Sequence, residues 1–551
     1  MKSTSQNDIS SSHKSWLKAR QYTPEQLETA RLILREIQEG APTLEAIRRR
    51  PLSRGGYTAK HTLVAVYRQM VNSGELENSP QLLARIRMKP TRTLSGVTTV
   101  TVLTKPYACP GECIFCPNDE ELPKSYLREE PGAARAFQNQ FDPFKQVNSR
   151  IESYQAIGHP TDKIELLILG GCWTAYPHNY QDWFIKRCLD AMNGSTSETL
   201  IQAQSQNESV KNRNVGLVIE TRPDEITPQV LFNLRKQGVT KVQIGAQNFN
   251  DHILSINKRG HTSKDTLRAT ALMRSAGFKI VMHWMPNLLG ATLESDRRDF
   301  HHMFDDGYCP DEIKIYPTQL LESADLYSYW QNGKYKPYTT DELIHLIADL
   351  KPHIPPYCRV NRIIRDIPAT YIVAGNQRSS LRQDIQKELT RRGEICSCVR
   401  CREILGQTVN LNDLKLEDLV YQAAFAEEHF LSFVTHANKL AGYLRLSLPD
   451  PKFDADMRPD FHRIYGFMPE LKDATIIREV HIYGQSLEVG SEQTGAAQHS
   501  GLGTALLEKA AEIARAHKSQ KLTVIAAIGT RLYYESRGFK RGDLYMSQVL
   551  N

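Results

Sequence analysis

The chain is long and short of several things, and each absence excludes a class of protein. No apolar run approaches the roughly 18 residues that a bilayer-spanning helix needs, and the mean hydropathy is −0.45, so no membrane partner is expected. The first residues, Met1-Lys-Ser-Thr-Ser-Gln-Asn-Asp, contain no apolar h-region; no secretory signal is read, and the cytoplasm is the expected compartment. Cysteine is scarce, 10 in 551 residues, which is too thin for a disulfide framework. An excess of charge is missing from most of the chain. Residues 1–90 carry 15 Lys/Arg against 8 Asp/Glu, and the remainder carries 54 of each, so the whole net charge of +7 lies in one terminal segment. A localised basic region is the footprint of a polyanionic partner, and a plain solvated face is the alternative. With 40% hydrophobic and 24% charged residues the chain is not globally disordered. At this length it needs about two to four domains.

What is present is concentrated. Six of the ten cysteines fall into two tight triplets, Cys109/Cys113/Cys116 and Cys396/Cys398/Cys401. In a reducing compartment such triplets are metal sites more often than redox pairs. The C-x3-C-x2-C spacing of the first can ligate three irons of a 4Fe–4S cluster and leave the fourth iron open to hold a small molecule. Three ligands of a zinc ion are the alternative. The second triplet suits structural zinc, with Cys358 or a histidine as candidate fourth ligand, or else it is a set of reduced thiols.

The hydrophobic period divides the chain. Residues 1–15 are polar and read as disordered. Helices are expected over 23–38, 43–50 and 60–73, the first opened by Thr23-Pro24-Glu25. From the β-branched run 98–103, strands at 164–169, 215–219, 241–244, 279–283 and 312–316 alternate with helices at 180–192, 228–237 and 266–276. This β-then-α order reads as a parallel sheet curled into a partial or full barrel. Gly170-Gly171, Glu220, Gln247, His283 and Lys314 follow or close the strands, where barrels place their chemistry. The Ser/Gln/Asn-rich stretch 194–214 reads as a loop insertion. After about residue 405 a separate α/β module begins. The expected division is a basic helical module (1–90), a barrel (91–365), a linker with the second triplet (366–410) and a C-terminal domain (411–551).

Two segments carry resemblances. The first triplet is spaced as in radical S-adenosylmethionine enzymes, in which the cofactor binds the open iron. Glu220 and Arg222 are candidates to hold that cofactor's ribose and carboxylate, with a surface salt bridge as the alternative. Gln498-His499-Ser500-Gly501-Leu502-Gly503-Thr504, before the apolar helix 505–516, resembles the pyrophosphate loop of GNAT acetyltransferases, where backbone N–H groups at a helix start meet a diphosphate. Glu479-Val480-His481-Ile482 can pair with the pantetheine arm, and Tyr533-Tyr534 lies where such folds hold a tyrosine near the thioester.

The combination resembles the Elongator catalytic subunit family, including its single-protein bacterial and archaeal members, over about 25–548. Supporting stretches are Lys89-Pro-Thr-Arg-Thr-Leu-Ser-Gly96, Glu220-Thr-Arg-Pro-Asp224, Asn257-Lys-Arg-Gly-His-Thr262, Pro310-Asp-Glu-Ile-Lys-Ile-Tyr-Pro-Thr318, Arg478-Glu-Val-His-Ile-Tyr-Gly484 and Gly529-Thr-Arg-Leu-Tyr-Tyr534. The resemblance implies an α/β radical SAM partial barrel fused to a GNAT domain. It also implies an enzyme that installs a carboxymethyl group at carbon 5 of the tRNA wobble uridine. A deoxyadenosyl radical takes hydrogen from the methyl of acetyl-CoA, the carbon radical adds to the base, and thioester hydrolysis frees CoA. By motif, Cys109, Cys113 and Cys116 bind the cluster. Lys163 serves acetyl-CoA from the barrel side, and Glu479 to Ile482, Leu502 to Thr504 and Tyr534 bind it from the GNAT side, with Lys163 and Tyr534 the candidate catalytic groups. The basic helices, Arg362 and Arg365 are the implied contacts to the tRNA anticodon region. An electron donor is required, and accessory subunits are not indicated. One departure is Gly170-Gly171-Cys172-Trp173, where the family has Gly-Gly-Thr-Phe. A protein lysine acetyltransferase with a structural cluster and a non-catalytic tRNA scaffold are the rival functions.

Overall fold

The computed structural model describes residues 21–405, 411–450, 457–483 and 501–550. Residues 1–15 and the loop residues Gln498, His499 and Ser500 lie outside the described residues.

The N-terminal helices Pro24–Gln38, Thr43–Arg48, Lys60–Asn72 and Pro80–Ile86 share a core of Ile33, Leu34, Ile37, Leu63, Val64, Tyr67 and Met70. Thr23 and Gln26 form a capping box that opens the first helix. Arg85 closes it: Nη1 donates to the Ile37 carbonyl at 2.7 Å and Nη2 to that of Ala41 at 2.5 Å. Some of the terminal basic charge is therefore structural, because carbonyls at a helix end need donors.

The central unit is a seven-stranded parallel sheet of β1 (Thr98–Leu103), β2 (Lys163–Leu169), β3 (Arg213–Thr221), β4 (Lys241–Gln247), β5 (Lys279–Trp284), β6 (Glu312–Ile315) and, beyond a short strand β7 (Leu320–Leu321), β8 (Arg359–Ile363). Neighbours in the sheet follow chain order with no reversal, and β1 and β8 are the two edges, so this is an open partial barrel. Helices such as Pro143–Ala156, His178–Asn193, Pro228–Lys236 and Ser263–Ser275 connect the strands. The starts of the first, third and fourth are set by side-chain caps from Asp142, Thr227 and Thr262. A strand at 359–363 is not apparent from hydrophobic pattern, because its inward positions are Arg359 and Asn361.

The stretch 194–214 is not a loop. Helix Leu200–Asn207 occupies its centre, capped by Thr199. Amide bonds replace the missing apolar stripe: Asn207 Nδ2 donates to Asn193 Oδ1 at 2.7 Å, and Gln204 Nε2 donates to the Lys236 carbonyl at 3.0 Å. Glu208 then receives Arg531 at 2.9 Å and Arg541 at 2.6 Å from the C-terminal unit.

That unit continues, after β9 (Ile372–Ala374), with β10 (Lys415–Ala423), β11 (Ala426–Val434), β12 (Leu440–Pro449), β13 (Ala474–Ile482), β14 (Lys521–Val524), β15 (Lys540–Arg541) and β16 (Met546–Val549). They form a second seven-stranded sheet in the order β10-β11-β12-β13-β14-β16-β15. Only β13 and β14 run parallel, and they pair over Ala474–Ile477 alone. Beyond Ile477 they part, leaving Glu479–Ile482 paired on one side to β12, with a register shift at Arg478. Helix Leu502–Ala516 buries Leu506, Leu507, Ala510 and Ala514 in a core with Leu444, Leu446, Ile477 and Leu522.

Candidate active site

Side chains alternate across a strand, so every second residue of the barrel strands faces its interior. These residues line one cavity of about 1810 Å³ that extends from the loop after β1, through the barrel, to β13 and the start of helix Leu502–Ala516. Cys109, Cys113, Cys116, Lys163, Glu220, Arg222, Glu479, Val480, His481, Ile482, Gly503, Thr504 and Tyr534 all lie on its wall.

At the β1 end, Cys113 is buried, with Arg259 Nη1 3.4 Å from its sulfur. The Cys116 hydrogen bond, against burial and with help from Arg259 and Arg222, brings the Cys113 thiol down to about 5. Arg222 is held by Asp224 (Nη2–Oδ2 2.9 Å) and donates to the Arg259 carbonyl at 2.7 Å. Its Nη1 is buried without a partner among the described residues. A Cβ on Gly111 would lie 2.1 Å from that nitrogen, so the cysteine loop needs glycine there. Gly170 (φ +134°) is required for another reason: its Cβ would meet Thr104 Oγ1 at 1.9 Å. Cys172 lies beside Thr174 and Thr221, 3.2 and 3.4 Å from their hydroxyls.

The middle of the barrel is polar. Tyr126 donates to Glu220 at 2.8 Å, and His283 Nε2 is 3.0 Å from Gln243 Oε1. Burial first, then Lys314 and three arginines, hold the His283 imidazole well below its usual range, so it is neutral. Gln247 has φ +68° and a buried Oε1 without a partner among the described residues. Arg362 and Arg365 are on the cavity wall rather than on an outer face. Arg362 pairs with Asp366, and Arg365 pairs with Glu130 at 2.8 Å. Any contact of these two side chains with RNA would therefore be made inside the cavity.

At the opposite end the strand starts form a ring of ion pairs. Lys241 bridges Glu165 at 2.6 Å and Glu312 at 3.2 Å. Lys279 pairs with Glu479, whose other oxygen receives Arg445 at 2.9 Å. Glu479 is thereby committed to joining the two sheets. Lys163 is at the start of β2, and burial lowers its pKa. His481 stacks against Tyr443 with ring centroids 5.7 Å apart, and its Nε2 is buried without a partner among the described residues. Burial is the main reason that its pKa falls to about 4.

Helix Leu502–Ala516 begins at Gly501 (φ +79°) with no side-chain cap. Among the described residues no side chain caps its first N–H groups, which is the arrangement that receives anions. Leu502 turns its side chain into the core, so its contribution to a ligand is its backbone. A Cβ on Gly503 would come within 2.6 Å of the Tyr533 hydroxyl. Tyr534 belongs both to the wall and to the core, edge-on to Tyr533 and Phe539 at 5.2 and 5.6 Å.

The second triplet is compact. The sulfurs of Cys396, Cys398 and Cys401 lie within 4.8 Å of one another. Hydrogen bonds from Cys396 and Cys401 hold the Cys398 thiol well below its usual range. The buried Lys351 ammonium is 3.9 Å from Cys401 Sγ. Cys358 is close by, with the Val399 N–H donating to its carbonyl at 3.0 Å, but its sulfur is outside the compact set. Three sulfurs so close suit one ion. Thiolates bound to three separate irons stand farther apart, and the first triplet does not form a compact set of this kind.

Sequence comparison assigns residues 104–302 to the Radical SAM superfamily and residues 310–391 to the Radical_SAM C-terminal domain. The tRNA uridine(34) acetyltransferase of Methanocaldococcus jannaschii is 39% identical over 491 residues, 86% of this chain and 88% of the relative. That of Dehalococcoides mccartyi is 40% identical over 470 residues, 84% and 100%. Human Elongator complex protein 3 is 34% identical over 488 residues, 85% and 87%. The solved structure of archaeal Methanocaldococcus infernus Elp3 with an N-terminal deletion matches at TM-score 0.70 and 35% identity, covering 83% of this chain and 99% of that one. Among the described residues no helix is long and apolar enough to cross a membrane. Radical SAM membership implies a 4Fe–4S cluster and S-adenosylmethionine. A thiolate-favouring Cys113, the glycine cradle at Gly111 and the unpartnered Arg222 Nη1 fit such a group. With more than two thirds of each of these curated relatives covered at over 30% identity, the chain belongs to the family of tRNA uridine(34) acetyltransferases and Elongator complex protein 3, a family of radical SAM enzymes.

Proposed function

We propose that this protein modifies the wobble uridine of tRNA, using S-adenosylmethionine and acetyl-CoA to form 5-carboxymethyluridine. The observation that carries this reading is the single cavity joining Cys109, Cys113 and Cys116 at one end to Glu479–Ile482, Gly503, Thr504 and Tyr534 at the other. Two reagents bound at those ends share one cavity, which is what transfer of a reactive carbon requires.

Cys109, Cys113 and Cys116 would hold the 4Fe–4S cluster, which with S-adenosylmethionine supplies a deoxyadenosyl radical able to attack an unactivated methyl group. Arg222 and Arg259 stabilise the thiolate side of this end, and Glu220 offers acceptor oxygens facing the cavity. At the other end the C-terminal sheet acts as a GNAT domain. The parting of β13 from β14 leaves Val480 and Ile482 on the wall beside an uncapped helix start, suited to a pantetheine arm and a diphosphate. Lys163 approaches the thioester from the barrel floor, and Tyr534 closes the site from the C-terminal side. The ion pairs of Glu479 with Lys279 and Arg445 keep the two halves of this pocket in register. Exposed Arg48, at the end of helix Thr43–Arg48, and Arg49 and Arg54, which follow it, meet tRNA phosphates. The second triplet holds a structural zinc ion beside Lys351.

The test is direct. Protein purified without oxygen is given S-adenosylmethionine, a low-potential reductant, acetyl-CoA and tRNA, and nucleosides are analysed by mass spectrometry. The expected product is 5-carboxymethyluridine, abolished in Cys113→Ser. Acetylated lysine in place of the nucleoside, or undiminished product from Cys113→Ser, would contradict the proposal.

A further inference from the structure

Lys314 has no part in the reading above. It lies in the middle of β6, paired through the backbone with His283 on β5 and Arg362 on β8, and it is on the cavity wall. It is only 9% exposed. Its ammonium has no hydrogen bond or ion pair among the described residues, and it faces the Tyr316 ring with Nζ 5.8 Å from the centroid. The ammonium is not sealed off from the cavity, so an oxygen bound there can accept from it. The other cations around His283 are already engaged. Arg259 donates to Cys113 Sγ at 3.4 Å and to the Gly245 carbonyl at 2.6 Å, Arg365 pairs with Glu130 at 2.8 Å, and Arg362 pairs with Asp366. Lys314 stands out among the four as a donor waiting for a ligand.

The neighbours say what kind of ligand. Glu220 is on the same level of the barrel, 3.8 Å from His283 Nε2, and its carboxylate opposes a second anion. Gln243 Oε1 is 3.0 Å from His283 Nε2, and because that ring is neutral its N–H donates to the amide oxygen, leaving the Gln243 amino group as a donor. Ammonium on β6, amide donor on β4 and carboxylate acceptor on β3 suit a neutral ring that carries carbonyls and an imide N–H. The place is also distinctive. It lies between the cysteine loop and the floor that meets β13, so what binds there is flanked by the candidate sites of both reagents.

We propose that Lys314 donates to a ring carbonyl of the pyrimidine being modified, making the middle of the barrel the seat of the base. This rests on the uridine-modifying reading above. A carboxylate of S-adenosylmethionine and the thioester carbonyl of acetyl-CoA are the other oxygens within the same chemistry.

Lys314→Met and Lys314→Arg separate them. In Lys314→Met the expected result is a fall of about 10²–10³ in the rate of 5-carboxymethyluridine formation, the scale of removing one preorganised donor. Equilibrium affinities for S-adenosylmethionine and acetyl-CoA, each measured alone, stay unchanged, and deoxyadenosine release continues without matching product. The ligand-free variant melts no lower than the wild type, because the ammonium makes no hydrogen bond or ion pair among the described residues. Lys314→Arg restores part of the rate. Weakened binding of S-adenosylmethionine assigns Lys314 to that cofactor and overturns the proposal, as weakened acetyl-CoA binding does for the thioester. A lower melting point together with unfolding-linked loss of all three ligands makes Lys314 structural and also overturns it. Wild-type product formation in Lys314→Met overturns this assignment alone, whereas a wild-type protein that forms no carboxymethyluridine overturns the uridine reading with it.

Discussion

Arg478 of the C-terminal sheet and Asp311 of the barrel form a bidentate ion pair, with both N–O distances 2.7 Å and both side chains fully buried. Asp311 also accepts the Ile280 N–H at 2.8 Å, and Arg478 also holds Glu428 at 2.6 Å. Arg274 reaches Glu428 from the barrel at 3.3 Å. The cavity depends on two sheets meeting in one arrangement, and this network is a directional part of their contact.

Breaking it by Asp311→Asn or Arg478→Met is expected to cost about 3–5 kcal/mol, because the surviving charge is left buried. Denaturant unfolding followed by circular dichroism checks this. Burial works to raise the Asp311 pKa, but Arg478 and Arg445 outweigh it and hold the carboxyl below the usual range. Its contribution is therefore fully present above the unfolded aspartate value of about 3.9 and is lost as pH falls below that. The wild type should lose stability steeply on acidification, and Asp311→Asn should lose less.

Gly111→Ala puts a methyl group into the space of Arg222 Nη1. Anaerobically reconstituted protein should then carry less iron and bind S-adenosylmethionine more weakly, with the C-terminal sheet intact by acetyl-CoA binding. Full iron loading with normal cofactor affinity would contradict the cradle.

Gly503→Val is expected to weaken acetyl-CoA binding at least tenfold, about 1.4 kcal/mol, because Tyr533 must move from the helix start. Gly501→Ala adds strain of about 1–2 kcal/mol at a left-handed position. Calorimetry with acetyl-CoA and with CoA separates loss of the diphosphate seat from loss of the acetyl contact.

Zinc should accompany the second triplet and not the first. Metal analysis of Cys398→Ser is expected to show zinc lost and iron retained, and Cys113→Ser the reverse. Loss of both metals from either variant would mean that the two sites fold as one.

For RNA binding, Arg48→Ala should weaken tRNA affinity and reduce the salt-dependence slope by about one, since Arg48 is exposed. Arg85→Ala should instead lower the melting temperature, because its guanidinium is committed to the Ile37 and Ala41 carbonyls. Filter binding across a salt series distinguishes the two.

By itself the sequence determined the parts whose signal is local. The strands from β1 to β6 are readable because β-branched and apolar residues recur with helix signals between them, and the spacing of Cys109, Cys113 and Cys116 points to a metal cluster. The glycine loop before helix Leu502–Ala516 is visible for the same reason: a helix start and its glycines are neighbours in the chain. Other features were decided only by the tertiary structure. Strand β8 turns Arg359 and Asn361 inward, and helix Leu200–Asn207 lies in an amide-rich stretch, so neither has an apolar pattern to betray it. Nothing in the chain shows that Glu479 meets Lys279 or that Arg365 meets Glu130. The chain places Lys314 at a strand end, but only the cavity shows that its ammonium has no ion-pair partner among the described residues. Such roles depend on which charges and oxygens meet across strands distant in sequence, and only the packing of the two sheets determines that.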